Sequence, residues 1–341
     1  MTSDLTVILA DFFTATWPVD EPIAESTALG DTAWSAFAEL GLSLVGVTEE
    51  QGGAGGTFED LMSLAVLAGR HAADIPIVEA TTAAWALAEA GLPIEESASY
   101  SIPLGQSSLT IDDDGTMRGT LVDIPWGASV DLVVTLTDSG HTVVLKAGDA
   151  TALPGVDLAG QPRDTLEIAG LKPIAIGSGI TANQLQRRVV ALRIALTAGA
   201  LQAISELTRR YVSERVQFGK VIGAFQAVQA HVVQIEQMAT MTTAIADRLA
   251  LESQLHEIDI ASAHLVTIEN ALVAARAAHQ AHGAIGMTRE YRLQGYTRRL
   301  HTWTGDFGEA VELSRRLGAT ASQNASFAHL VLDDTRPELI P

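Results

Sequence analysis

The spacing of apolar residues changes twice along this chain, and that order restricts the folds it can adopt. Residues 1–95 and 181–330 repeat apolar side chains at helical spacing, whereas residues 100–172 contain short alternating runs bounded by turn residues. The order helical, β, helical predicts a mainly α protein with a small central β domain. A chain of 341 residues is long enough for two or three packed units. We place their boundaries at 1–96, 97–173 and 174–341.

The N-terminal part contains candidate helices with recognisable ends. Asp31 is a typical N-cap for the segment that carries Trp34 and Phe37. Thr57 followed by Asp60 is close to a capping box. We therefore expect one helix to start near each of these two positions.

The glycine-rich sequence GGAGG at 52–56 raises the question of a dinucleotide-binding loop. Such a loop follows a strand directly and opens a helix within a βαβ unit. No strand pattern precedes these glycines. We interpret them as an ordinary loop, with the dinucleotide fold as the less favoured alternative.

The central part has the pattern of a small β domain. The sequences DLVVTLT, DSG and HTVVLKA predict a strand, a tight turn and a second strand, which together form a hairpin over residues 131–147. Further short strands are expected on both sides. Their spacing is typical of a partial barrel or a sandwich.

The C-terminal part is predicted to form a four-helix bundle. Three of its candidate helices are long and apolar on more than one face, which is typical of helices buried among other helices. Short connections between them favour an antiparallel arrangement. The candidates are residues 182–214, 224–254, 259–282 and 308–317.

Composition excludes several classes of function. The chain has no cysteine, which excludes disulfides, thiolate metal sites and thiol nucleophiles. Its formal net charge of −20 disfavours nucleic acid as a partner, and any anionic ligand requires a local basic pocket. The sequence has no long uninterrupted apolar run, so we expect no membrane span. The acidic N-terminus is unlike a signal peptide, so a cytoplasmic protein is expected.

Two motifs in the C-terminal part have the chemistry of a nucleotide site. In YVSERVQFGKVIGAFQAVQAH, Arg215 is a forked donor suited to a diphosphate, and Phe218 and Phe225 have rings that can pack on a planar group. In AAHQAHGAIGMTREY, Gln280 and the main chain near Gly283 are available to a polar ligand. Each motif alone is equally typical of an ordinary helix end.

Together the two motifs resemble those of the acyl-CoA dehydrogenases, and AWSAFAELGLSLVGVTEEQGGAGGTFEDL is similar to the N-terminal signature of that family. The resemblance covers nearly the whole chain. It implies α,β-dehydrogenation of an acyl-CoA thioester, in which a carboxylate removes the α-proton and FAD accepts a hydride. It also implies an electron acceptor as a further partner.

The resemblance implies which residues bind FAD. The first motif is expected to hold the adenosine diphosphate part across a subunit interface, and the second is expected to contact the diphosphate and adenosine region. The candidate residues are Arg215, Gln217, Phe218, Gly219, Phe225, Gln226, Gln280, His282, Gly283 and Ala284.

The catalytic base of the family has no counterpart at either of its two known positions. We place residues 297–309 between the last two helices, and alignment there puts Phe307 at the usual glutamate position. The second position falls near Val189. Asp306 and Glu309 flank the first position as candidate bases, but their spacing is more typical of a helix cap.

The missing base, a β region without the family's flavin-covering motifs, and the short chain are similar to one subgroup. It comprises the actinobacterial α2β2 heterotetramers associated with degradation of sterol side chains, in which one subunit supplies the base and the other completes the FAD site. The chain resembles the subunit without the base. Two alternatives are a self-sufficient homotetramer that uses Asp306 or Glu309, and a non-catalytic structural or acyl-CoA-binding protein.

Other residues have competing interpretations. His279 and His282 have the spacing of a metal pair, but no carboxylate accompanies them, so we expect no metal. Trp303 either lines an acyl pocket or simply packs in the core. Three arginines either meet the nucleotide of the thioester or form salt bridges; they are Arg187, Arg188 and Arg193.

Overall fold

The computed structural model describes residues 3–23, 25, 28–306, 310–323, 338 and 339. The chain divides into two compact units. The first comprises Met1–Phe12, Ala24–Leu64 and Ala73–Val189, and the second comprises Phe13–Ile23, Ala65–Ala72 and Val190–Pro341. These units divide the chain differently from the three domains expected above, which stay a prediction.

In the part of the chain that the structure describes, four α-helices precede the β region, and a capping box marks the start of one of them. The capping box is confirmed: the main-chain N–H of Asp60 donates to Thr57 Oγ1 at 3.1 Å, and that of Thr57 donates to Asp60 Oδ2 at 2.8 Å. The prediction for Asp31 is wrong, because the helix begins at this residue and Gly30 is its N-cap. The helices are α1 (Ser3–Thr16), α2 (Asp31–Glu39), α3 (Phe58–His71) and α4 (Ile77–Glu89).

The glycine-rich sequence at 52–56 forms a loop, as predicted. Gly55 pairs with Val47 in an isolated antiparallel bridge, and α3 starts only after Thr57. A side chain at Gly53 would overlap the carbonyl oxygen of Val47. Close approach of the main chain therefore accounts for this glycine without a nucleotide.

The β region contains the strands β1 (Tyr100–Ser101), β2 (Ser108–Ile111), β3 (Met117–Pro125), β4 (Leu132–Leu136), β5 (Thr142–Lys146), β6 (Thr151–Leu153), β7 (Arg163–Leu171) and β8 (Ala175–Gly177). They form two four-stranded sheets, in the orders β1-β4-β5-β8 and β2-β3-β7-β6. The predicted hairpin is confirmed, because β4 and β5 pair antiparallel from Leu132↔Lys146 to Leu136↔Thr142.

One apolar core lies between these sheets. Leu121 of β3 and Leu166 of β7 pack in the same buried cluster as Val133 of β4 and Val143 of β5. Alternating side chains from both sheets fill this cluster, as in a sandwich. The predicted sandwich is therefore what the strands form.

After residue 181, the described part of the chain contains helices α5 (Ala182–Glu214), α6 (Gln226–Ala250), α7 (Glu257–His282), α8 (Arg292–Gly305) and α9 (Ala310–Gln323), and one short hairpin of β9 (Val216–Gln217) and β10 (Lys220–Val221). Helix α6 packs on α7, which also contacts α8 and α9. This arrangement confirms the predicted helical bundle.

Helix α8 corrects the prediction that residues 297–309 form a connection. The helix runs to Gly305, so most of that stretch is helical. Its buried side chains include Leu293, Tyr296, Leu300 and Trp303, which recur at helical spacing. That spacing was the available signal, and the polar residues between them obscured it.

Helices α3 and α5 cross at glycines, where their main chains touch. A Cβ atom at Gly199 would overlap the carbonyl oxygen of Val66, and one at Gly69 would overlap that of Leu196. Every residue of α5 from 188 to 201 is buried. The two glycines therefore set how closely α3 approaches the most buried helix of the second unit.

Hydrogen bonds from Arg292 to main-chain carbonyls hold the start of α8 in place. Its guanidinium donates to the oxygens of Pro18 (2.8 Å), His71 (3.2 Å) and Glu21. The hydroxyl of Tyr296, one turn further along, donates to the carbonyl of Arg70 at 2.6 Å. A buried charge is thus solvated by oxygens of the second unit.

Two stretches are long and apolar enough to cross a membrane by length and composition, namely Ala182–Glu214 and Glu257–Met287. Their most apolar windows are 89% and 56% buried inside the protein. Burial of this kind is typical of core helices, so composition is weak support for a membrane span here.

Replacing Gly199 with alanine is expected to destabilise the protein by about 1–3 kcal/mol, since the new methyl group must push the α3 main chain away. Urea unfolding monitored by circular dichroism measures this loss. Gly318→Ala on α9 is the matched control, because no atom lies within 4 Å of the added Cβ. It should gain up to about 1 kcal/mol from helix propensity. Equal stability of the two variants would contradict the close crossing.

Candidate functional site

A two-residue hairpin carries the first predicted motif. It follows α5, and its strands pair Gln217 with Lys220 and Val216 with Val221. Phe218 and Gly219 form the turn with φ angles of +53° and +77°. Two positive φ angles are typical of a type I′ turn, where asparagine followed by glycine is favoured. Phenylalanine at the first position costs on the order of 1 kcal/mol.

Phe218 is 89% exposed, so contacts within the chain do little to offset this cost. Its ring makes a T-shaped contact with the ring of Phe225, with centroids 6.0 Å apart. The ammonium of Lys220 lies 4.3 Å from the centre of the Phe225 ring. Arg215 and Gln217 are also exposed. Aromatic faces next to cationic side chains are thus open to a ligand or to another chain.

The second predicted motif lies where α7 ends. The φ angle of Gly283 is +64°, which turns the chain out of the helix, and Gln280, Gly283 and Ala284 are exposed. This end of α7 offers an amide side chain and accessible main-chain groups.

His282, the remaining predicted residue of this motif, has a buried side chain. Its Nδ1 lies 2.8 Å from the carbonyl of Ala278, and its Nε2 lies 3.2 Å from the hydroxyl of Tyr291. Burial lowers the pKa of His282 below the usual histidine value. Both ring nitrogens are engaged, so any ligand contact from this residue would come from its main chain.

The structure brings the two motifs together at one end of the helical bundle. Val212 of α5, Ile222 after the hairpin and Ala281 of α7 form one small buried cluster, and Phe225 packs against it. Gln226 is the exposed first residue of α6. All ten predicted cofactor residues therefore belong to the segments that surround this cluster.

Three residues near these motifs were missed from the sequence. Tyr211 packs against the cluster, Tyr291 contacts His282, and Lys220 covers the ring of Phe225. The spacing of Tyr211 and Arg215, four residues apart at the end of α5, was a local signal for the first of them.

The candidate base Asp306 is buried in an ion pair. Its Oδ2 lies 2.9 Å from Nε of Arg193, and both side chains are 6% exposed. Burial lowers the pKa of His264 on α7, which faces the main chain of Asp306. A carboxylate held by a buried guanidinium is poorly suited to act as a general base.

The other positions relevant to a base hold no acid that the structure describes. Val189 is fully buried at the second family position. Phe307 and Glu309 lie outside the described residues, so the capping role suggested for Asp306 and Glu309 stays a prediction.

Two of the three arginines singled out on α5 are buried, namely Arg188 and Arg193. Arg188 lies between aromatic rings, with its guanidinium carbon 5.2 Å from the centre of Phe58 and 4.8 Å from that of Trp85. Burial lowers the pKa of Arg188 to about 10. Arg187 donates to the carbonyl of Asn183 at 3.2 Å. The buried positions of Arg188 and Arg193 favour an internal role for both side chains.

Two further alternatives can be compared with the structure. Trp303 is 4% exposed, which agrees with simple packing. His279 Nε2 lies 2.9 Å from the hydroxyl of Thr297. Within the ranges that the structure describes, no group of three histidine, cysteine or acidic side chains could hold a metal ion.

Comparison with known proteins agrees with this geometry. Residues 178–305 match the family described as acyl-CoA dehydrogenase, C-terminal domain. The chain is 28% identical over 302 residues to acyl-CoA dehydrogenase IpdE2 of Mycobacterium tuberculosis, covering 86% of this chain and 88% of that protein.

Two solved structures have the same fold. A chain of the ChsE4-ChsE5 complex from Mycobacterium tuberculosis superposes with a TM-score of 0.80 at 20% identity, over 96% of this chain and 99% of that one. A chain of a variant of the Tcur3481-Tcur3483 steroid ACAD gives 0.79 at 23% identity, over 94% and 97%. Likeness at these identities establishes the fold alone. This chain is therefore similar to acyl-CoA dehydrogenases in its C-terminal domain and along most of its length, and it shares the fold of the two solved structures.

Proposed function

We propose that this chain is a subunit of a flavin-dependent acyl-CoA dehydrogenase that shares FAD with a homologous partner subunit. The complex introduces an α,β double bond into an acyl-CoA thioester, and the partner supplies the glutamate that removes the α-proton. The main support is one observation: the hairpin at Phe218 is exposed and strained. The buried valine at one family base position and the ion-paired Asp306 beside the other agree with a base on the partner.

The residues around the hairpin fit the chemistry of FAD. Arg215 offers a forked donor for the diphosphate, and Phe218 and Phe225 offer rings for the adenine. Gly219 and Gly283, both with positive φ, leave space for a ligand to approach the main chain. When bound, FAD supplies the acceptor for the hydride that leaves the β-carbon, and a separate acceptor then takes up the electrons.

The role of this chain in the reaction is to bind and orient. Arg215 and Gln217 would hold the phosphate end of the cofactor, and the exposed end of α7 would offer further polar groups to it. Positioning of this kind contributes to the rate because the reacting groups must be held within about 1 Å of their productive places.

A substrate class follows from the likeness to heteromeric enzymes. Two similar solved structures are complexes of two different chains, and one of them is described as a steroid ACAD. We propose an acyl-CoA with a sterol side chain as substrate, an α2β2 assembly, and a cytoplasmic location for the complex.

Co-expression tests the shared site. This chain purified with a homologous partner that retains the glutamate should give a yellow complex with one flavin for each pair of different chains. Absorbance in the flavin band and the mass of the complex measure that ratio. This chain alone is expected to be colourless and inactive, because it lacks both the base and the partner's part of the site. One flavin per chain with full activity from this chain alone would overturn the proposal.

The Phe218→Asn variant tests how the exposed ring contributes to flavin binding without lowering the stability of the fold. Asparagine adopts positive φ more readily than phenylalanine, so the free energy of unfolding of this chain should stay the same or rise slightly. Loss of the exposed ring should weaken flavin binding by the complex about tenfold, measured as the dissociation constant by fluorescence titration. Val311→Asn removes another exposed apolar side chain, 78% exposed on α9, and should leave flavin affinity unchanged.

Asp306→Asn distinguishes the proposal from the homotetramer alternative. The change leaves the Arg193 charge buried and without its carboxylate, so we expect a loss of about 3–5 kcal/mol in the free energy of unfolding. Turnover per bound flavin at a temperature where the complex is folded should be retained. The double variant Arg193→Met/Asp306→Leu should recover part of the stability. Abolished turnover with unchanged stability would instead identify Asp306 as the base.

A further inference from the structure

The two cofactor-binding segments come from different helices, and a stack of aromatic rings lies between them. The ring of Tyr211, in the last turn of α5, stacks on the imidazole of His282 with centroids 4.5 Å apart and planes 19° apart. Tyr291, which precedes α8, lies 5.2 Å from His282 and 5.9 Å from Tyr211. Ring stacking of this kind links α5 directly to the end of α7.

Hydrogen bonds extend this link to the binding residues themselves. The carbonyl of Tyr211 accepts from the main-chain N–H of Arg215 at 2.9 Å, and its hydroxyl donates to the carbonyl of His282 at 3.3 Å. His282 is followed by Gly283, the turn of the second segment. Tyr211 therefore contacts both sides of the predicted site.

The contacts of His282 fit a neutral ring, in which one nitrogen donates and the other accepts. With Nδ1–H donating to the carbonyl of Ala278, Nε2 is left as the acceptor for the hydroxyl of Tyr291. Protonation would place a second N–H against that hydroxyl, which would have to turn away. Burial lowers the pKa of His282 and raises that of Tyr291 to about 12, so both groups are held in their neutral forms near pH 7.

Few other titratable groups face this stack. His279 lies one turn earlier on α7 and disfavours a second positive charge. Arg210 and Glu214, both on α5, act on Tyr291 with opposite signs. Titration of His282 is thus the main change expected within the stack as the pH falls.

We propose that Tyr211 and His282 are positioning residues that set the separation of the two cofactor-binding segments, and that neutral His282 is the form that fits this stack. The inference rests on the function proposed above and concerns how its site is held. Tyr211 reaches the cofactor through Arg215, and His282 does so through Gly283.

Flavin affinity of the co-expressed complex tests the stack. Tyr211→Leu removes the ring and should raise the flavin dissociation constant about tenfold, whereas Tyr211→Phe keeps the ring and should stay within about threefold of the wild type. Tyr296→Leu is the matched control. It removes the bonds of a buried tyrosine to Arg70 and Arg292. It should lower the melting temperature by a similar amount without changing flavin affinity.

The pH dependence of flavin binding is a second test, because a purely packing role of His282 would not make the affinity depend on pH. Burial already lowers the pKa of His282 in the chain without flavin, so its ring becomes charged only below the usual histidine pKa of about 6.5. Affinity should therefore be constant at and above pH 6.5 and fall only at lower pH, where the protonated ring disturbs the contact with Tyr291. His282→Asn keeps a donor near Nδ1 and removes the titrating ring, so its profile should be flatter than that of the wild type.

The outcomes separate this inference from the proposed function. A wild-type complex without flavin would overturn the proposed function, and this inference with it. Wild-type flavin binding together with unchanged affinity in Tyr211→Leu would overturn the inference alone. So would an equal loss of affinity in Tyr211→Leu and Tyr296→Leu, because that result would indicate a general effect of stability.

Discussion

The contact of main chains at Gly69 and Gly199 is the constraint on which the helical bundle depends. A carbonyl oxygen of each helix occupies the place where the other would carry a Cβ. Helix α5 therefore meets α3 at backbone distance over its most buried stretch. A helix fixed so closely cannot slide or rotate without overlap, because protein interiors are packed as densely as crystals. Arg193 and Tyr211 both lie on α5. The position of α5 therefore fixes where their side chains meet Asp306, which follows α8, and His282, at the end of α7.

Buried charge is handled in two ways in this bundle. Arg292 is solvated by main-chain oxygens, whereas Arg193 is paired with the carboxylate of Asp306. An ion pair with both side chains 6% exposed is costly to desolvate and more costly to break. Asp306 thereby joins the end of α8 to α5, next to the position where the family carries its base. The ion pair stabilises the fold, but it leaves this carboxylate poorly available for proton transfer.

Local patterns predicted much of this fold because the decisive interactions were local. The bounds of α5, the hairpin of β4 and β5, and the capping box at Thr57 all depend on residues close in sequence. Helix α8 was missed because its buried face includes polar residues such as Thr297 and Arg299, which the apolar pattern does not count. Arg292 is buried by oxygens from residues more than 200 positions away, and no spacing rule indicates such a contact.

The candidate site likewise combines features that the sequence predicted with contacts that it could not predict. Motif residues such as Arg215 and Gly283 could be named from the sequence, but the stack that joins them could not, because Tyr211 and His282 are 71 positions apart. Phe218 carries the strongest argument for assembly. In an isolated chain its exposed ring and positive φ both cost free energy, and an asparagine would remove both costs. Burial of the ring against a ligand or another chain would offset them. The proposed cofactor shared with a second subunit would provide such a surface, and that subunit would supply the carboxylate that the buried Val189 and the paired Asp306 do not provide.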